Sequence, residues 1–150
     1  MRLDRPWLPL FLVLLLSLVL TACGNNTPPK GLAPGRDIVK HAIARQLTLT
    51  EDRLTSQLDN PTTTDFEIKK LNIKTLTPLY IADLPTYQIN GTYSLNLNLP
   101  RQEITQENNP FEVYLQRQVE GKTWRLLIPK NREQVQEEKQ VTTWKSYLIT

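Results

Sequence analysis

A thiol, an imidazole and paired carboxylates are the groups in this chain that could move protons or form covalent intermediates, and each is scarce or poorly placed. Cys23 is the single cysteine and His41 the single histidine among 150 residues. A thiolate or imidazole works only beside a nucleophile, base or carboxylate within hydrogen-bond reach. His41 lies between Lys40 and Ala42 in a stretch of helical periodicity, with Asp37 and Arg45 at the neighbouring turns. That spacing offers only local pairing, so a surface or boundary helix histidine is expected. The adjacent pairs Glu51-Asp52 and Glu137-Glu138, the second beside Arg132, Glu133 and Lys139, read as solvated charge clusters. No Gly-x-Ser-x-Gly elbow, phosphate loop, dinucleotide fingerprint or His-Glu-x-x-His pair occurs. One cysteine closes no intramolecular disulfide, and one cysteine with one histidine builds no structural zinc site. The expectation is a non-enzymatic chain with no metal and no cofactor.

The position of Cys23 gives it a different chemistry. Arg2 and Arg5 precede an apolar run, Leu8 to Leu20, broken only by Ser17 and followed by the small residues Thr21 and Ala22. A charged start, a short apolar core and a small-residue end form an export-signal pattern. The core has 13 residues, against about 20 for a bilayer span, which favours cleavage over retention. Leu20-Thr21-Ala22-Cys23 resembles the lipobox of bacterial lipoproteins. That resemblance implies a diacylglyceryl group on the Cys23 sulfur, cleavage between Ala22 and Cys23, and acylation of the new amino terminus. The partner it implies is a membrane, reached through the lipid on Cys23. The location would be the exported side: the periplasmic face or cell envelope, or the thylakoid lumen if the source is cyanobacterial. Residues 1–22 are therefore expected to be a signal peptide.

The segment NNTPPKGLAPG, Asn25 to Gly35, holds three prolines and two glycines and offers little to bury, so residues 23–35 read as a flexible tether. Residues 36–150 remain for one domain. The chain is 39% hydrophobic and 22% charged, which suits a folded body. Its net charge is +3, and without Arg2, Arg5 and Asp4 the remainder carries 16 basic and 14 acidic groups. Those charges are scattered, with Lys69-Lys70 the only adjacent basic pair in the body, so no nucleic-acid partner is expected.

Asp37 can cap a helix whose stripe is Ile38, Val39, Ala42, Ile43 and Leu47, continuing through Leu54 and Leu58 to a stop at Asp59-Asn60-Pro61. A kink is expected near Thr48 to Thr50, where β-branched residues weaken the helix. From Thr64 the period changes to two. Tyr87, Ile89, Gly91, Tyr93, Leu95, Leu97 and Leu99 alternate with polar residues and predict a long half-buried strand. Phe111, Val113 and Leu115, a turn at Glu120-Gly121, and Trp124, Leu126 and Ile128 predict a hairpin. Phe66 and Ile68 are out of phase with Leu71 and Ile73, which calls for a bulge or strong twist at Lys69-Lys70. Val141 to Ile149 reads as the last strand. The fold class is α+β: one long N-terminal helix on a curved antiparallel sheet of about five strands. This element order resembles the cystatin-like and NTF2-like folds. The stretches Gly91 to Pro100, Asn109 to Gln118, Lys122 to Leu127 and Thr143 to Ile149 are also similar to small lipoproteins of cyanobacteria, a resemblance that carries no activity.

On β alternation, Tyr114, Gln116 and Gln118 lie opposite Phe111, Val113 and Leu115, and Arg125 lies opposite Trp124. With the helix on the Phe111/Trp124 face, these four form a polar-aromatic outer face suited to an envelope protein partner. The alternative is a small ligand-binding or hydrolase/isomerase-like domain with a pocket between helix and sheet. Tyr80, Tyr87 and Trp144 would lie near its rim, with a buried carboxylate such as Asp65 or Asp83 inside.

Overall fold

The computed structural model describes residues 26–57, 65–99, 101–130 and 143–149. A single 3₁₀ turn, Lys30–Leu32, precedes helix α1, Arg36–Thr55. Five strands follow: β1 Asp65–Ile81, β2 Leu84–Leu99, β3 Gln102–Arg117, β4 Trp124–Lys130 and β5 Thr143–Ile149. They pair antiparallel in the order β1-β2-β3-β4-β5. The expected α+β class is the one observed, a helix packed on a five-stranded antiparallel sheet. The 3₁₀ turn makes α1 the second element instead of the first.

The helical stripe packs as its spacing requires: Val39, Ala42 and Ile43 are buried, with Ile38 and Leu47 half-covered beside them. Gly35, not Asp37, is the N-cap, and Asp37 sits in the first turn, where a carboxylate faces the positive end of the helix. Helix α1 runs unbroken through Thr48–Thr50. The Thr48 and Thr50 hydroxyls donate to the carbonyls of Ala44 (3.1 Å) and Gln46 (2.9 Å), which satisfies them without leaving the helix. Leu54 is exposed, not on the buried stripe. Leu58, the expected stop at 59–61 and the polar link 131–139 lie outside the described residues.

The phase change in β1 is a register shift between Lys69 and Asn72, with Lys70 at φ 48° and a second irregularity between Ile73 and Thr75. The chain meets this distortion at Gly91. A Cβ there would collide with the Asn72 carbonyl oxygen and lie 2.8 Å from Phe111 Cε1, so only glycine admits the bulged strand. Strand β3 starts at Gln102, well before the expected Phe111, because Gln102 to Asn109, polar apart from Ile104, finds a ladder against β2. Only Tyr114–Arg117 of β3 pairs with β4. The sheet is thus five strands wide at one end and three strands wide along the rest.

The core is Tyr87, Ile89, Phe111, Val113, Leu115, Trp124, Leu126 and Ile149 against the helical stripe. Two prolines of the expected tether join it. Pro28 and Pro34 are buried, and Tyr87 Oη, itself fully buried, donates to the Pro29 carbonyl at 2.7 Å. Proline rings are apolar and rigid, so this stretch packs at little entropic cost.

The β1–β2 turn is two residues, Ala82 and Asp83, both at positive φ (50° and 61°), the type I′ geometry that favours Asn-Gly. Two substitutions should move stability in opposite directions, read as urea midpoints at constant slope. Gly91→Ala is expected to cost about 2 to 4 kcal/mol through backbone overlap. Ala82→Asn is expected to gain up to about 1 kcal/mol by relieving the left-handed strain.

Candidate functional site

Alternation along β3 sends Glu112, Tyr114 and Gln116 to the face away from α1, and register sets Asn90, Gln88 and Thr86 of β2 opposite them. Strands β4 and β5 add Arg125, Leu127, Trp144 and Ser146. The centre of this face is the Glu112 carboxylate. Tyr114 Oη donates to its Oε1 at 3.0 Å and Gln88 Nε2 to its Oε2 at 3.1 Å. The Asn90 amide, oriented to suit its neighbours, donates to the same Oε2 at 3.1 Å. Trp144 packs on Tyr114 with ring centroids 5.0 Å apart and planes tilted by 57°. Arg125 Nε reaches Ser146 Oγ at 3.2 Å.

Burial, then the hydrogen bond and negative charge of Glu112, push the Tyr114 phenol above its ordinary value, with Gln88 acting in the opposite direction. A phenol and carboxylate that share a hydrogen bond could exchange a proton, but Glu112 is exposed on an open sheet. The arrangement puts a fixed acceptor, a tilted aromatic pair and a guanidinium on one surface.

The other expected residues are placed as follows. Tyr114 and Arg125 are half-buried on the outer face. Gln116 is on the same face but buried, donating to the Ile81 carbonyl at 2.9 Å, and so is not available to a partner. Gln118 lies past the end of β3, its amide nitrogen buried without a partner among the described residues. Tyr80, Tyr87 and Trp144 are not brought to one rim. Tyr87 is under the N-terminal segment, Tyr80 is exposed near the end of β1, and Trp144 is on the opposite face against Tyr114. Asp65, Asp83 and His41 are exposed. Ala22 and Cys23 lie outside the described residues. Glu112, Gln88 and Asn90 were not singled out in the sequence; their alternation was visible, but their meeting depends on a register that no local signal carries.

Among the described residues, two hollows are formed on the helix side. The larger, about 690 Å³, separates the end of α1 from β4–β5 and is lined by Leu49, Ile128, Tyr147 and the cations Arg53, Lys130 and Lys145, with no carboxylate among the described lining residues. Arg45 lies 5.9 Å over the Tyr147 ring beside it. The smaller, about 300 Å³, mixes Arg36, Lys40, Lys69 and Lys70 with Asp37 and Glu67. Among the described residues no group of three or more His, Cys, Asp or Glu is arranged to hold a metal, and no helix is long and apolar enough to cross a membrane.

Tyr87, Tyr93 and Tyr114 all titrate above their ordinary value of 10.0, each chiefly through burial. A raised folded-state pKa contributes stability that is present below the unfolded value and lost as pH rises through the folded one. Stability should therefore fall with alkaline pH from about 10 upward, seen as urea midpoints measured against pH. Glu112→Gln should lower the Tyr114 phenolate midpoint part of the way, since burial remains; Tyr114→Phe identifies that transition in an ultraviolet titration.

Compared with known proteins, no family model, no curated protein and no solved structure matches this chain.

Proposed function

We propose that this chain is a lipid-anchored, non-catalytic binding module of the cell envelope. The observation that carries the reading is the run Leu8 to Leu20 ending in Leu20-Thr21-Ala22-Cys23, with Arg2 and Arg5 before it. Residues 1–22 are removed, Cys23 takes the lipid, and acyl chains at about 0.8 kcal/mol per buried CH₂ hold the domain on the exported side of a membrane. The domain is of the cystatin-like kind, its sheet curved at the bulges of β1 around α1. The outer face of Glu112, Tyr114, Trp144 and Arg125 is the surface offered to an envelope protein, since tyrosine, tryptophan and arginine dominate binding hot spots. No nucleic-acid, metal or cofactor role belongs to this reading.

The groove between α1 and β4–β5 favours a second reading, a small-ligand site. Three cations, with no carboxylate among the described lining residues, suit an anionic ligand over an apolar one. The hydrolase-like form of that reading finds less support, because Asp65 and Asp83 are both exposed.

Two measurements test the proposal. The mass of the mature amino-terminal peptide is expected to show an acylated Cys23, and Cys23→Ser should leave unprocessed or soluble protein; an unmodified cysteine on a membrane-bound chain removes the anchor. A photo-crosslinking residue at position 114 of the anchored protein in its native membrane should give one discrete adduct that Arg125→Glu weakens several-fold. The same adduct yield from a crosslinker at exposed Gln57, just past the far end of α1, would count against the outer face.

A further inference from the structure

We propose that the end of the sheet from which the amino terminus emerges lies against the lipid surface, with Val119, Leu148 and Tyr80 in contact with the bilayer interface. The proposal rests on the Cys23 anchor reading. Its observations are independent of it: where the chain leaves the body, and where the exposed apolar side chains are.

Pro28 is buried and Pro29 accepts the Tyr87 hydroxyl. Tyr87 is three residues into β2, and its ring lies 6.0 Å from that of Trp124, the first residue of β4. The chain therefore leaves the body at the end that carries the Ala82–Asp83 turn, the β3–β4 turn at 118–123 and, through the pair Trp124–Ile149, the last residues of β5. Cys23 is five residues before Pro28. Five residues fully extended reach at most about 18 Å, too little for the body to turn its other end to the membrane.

The exposed large hydrophobic residues are concentrated at this end. Val119 is 87% exposed at the tip of the β3–β4 turn, Leu148 51% near the end of β5, and Tyr80 46% beside the β1–β2 turn. Leu32, 42% exposed, is in the 3₁₀ turn next to Pro29. The fifth among the described residues, Leu54, is at the far end of α1. The Val119 turn is held by hydrogen bonds within it, a geometry that presents an apolar side chain outward. Arg117 Nε and an η nitrogen donate to the Gly121 carbonyl at 3.0 and 2.8 Å, Gly121 N–H donates to Gln118, and Gly121 takes φ 72°. A valine, a leucine and a tyrosine ring around an acylated chain end form a small apolar footprint, with exposed Lys30 and Lys122 at its margin for lipid phosphates.

The test uses the full lipidated protein in vesicles of phosphatidylethanolamine and phosphatidylglycerol. With the native thiol acylated, Val119→Cys and Leu148→Cys each supply one free thiol for a nitroxide, and Gln102→Cys at the opposite end of the sheet is the control. Both positions are exposed, so the substitutions should not disturb folding; circular dichroism checks this. The expected result is an oxygen-to-nickel-chelate relaxation ratio several-fold higher at 119 and 148 than at 102. Equal ratios on vesicle-bound, acylated protein overturn the docking while leaving the anchor intact. Low access of both relaxants at 119, the sign of a protein cover, overturns it as well. A chain whose mass shows no acyl group removes the anchor, and the docking with it.

Discussion

A phenol buried at the centre of an apolar core must find a hydrogen-bond acceptor, and Tyr87 finds the carbonyl of Pro29. Much of the molecule follows from that bond. It ties the stretch before α1 to the second strand, which brings Pro28 and Pro34 into the core and sets where the helix begins. Arg36 then reaches the Leu71 carbonyl in the middle of β1, and α1 crosses the sheet from there to β5. The same bond fixes the point from which the amino terminus leaves. A segment rich in proline and glycine would otherwise be a spacer of indefinite direction; held by Tyr87, it has an origin and a short reach.

The sheet is built around one irregularity. Strands of 16 and 17 residues twist strongly if left regular, and β1 answers with register shifts on both sides of Asn72. Gly91 is where the neighbouring strand makes room. The bulges also protect the open edge of β1. Together with Lys69, Lys70, Lys74 and Pro78 they break up a long unpaired ladder that would invite another chain. At the other edge β5 relies on being short, with seven residues and one lysine.

The two faces of the sheet serve different ends. The helix side is filled with aliphatic and aromatic groups, while the other side is held by side-chain hydrogen bonds between strands, Glu112 with Gln88 and Asn90, and Asn96 with Glu103 and Thr105 at 2.6 Å each, and by the Tyr114–Glu112 bond along β3. Such pairs link adjacent strands at their solvated surface, so the outer face is ordered without being apolar. Gln116 and Leu127 are nevertheless buried on this side, Gln116 with its amide donating to the Ile81 carbonyl.

Local chemistry was enough to read much of this from the residues alone. The helical stripe from Ile38 to Leu47, the alternation of Tyr87 to Tyr93, the bulge at Lys69-Lys70 and the turn at Gly121 are each written in spacings of a few residues, because helix and strand periods are properties of the backbone. The order of elements, and with it the α+β class, followed. The start of β3 did not, since Gln102 to Asn109 has no apolar alternation and becomes a strand only by pairing with β2. Nor did the Ala82–Asp83 turn, whose residues are unusual for its geometry. The packing of Pro28 and Pro34, the meeting of Glu112 with Gln88 and Asn90, the separation of Trp144 from Tyr87 and the clustering of Val119 and Leu148 at one end were decided by tertiary structure. Register and contact between residues far apart in the chain depend on how whole faces bury one another, and no short stretch of sequence contains that information.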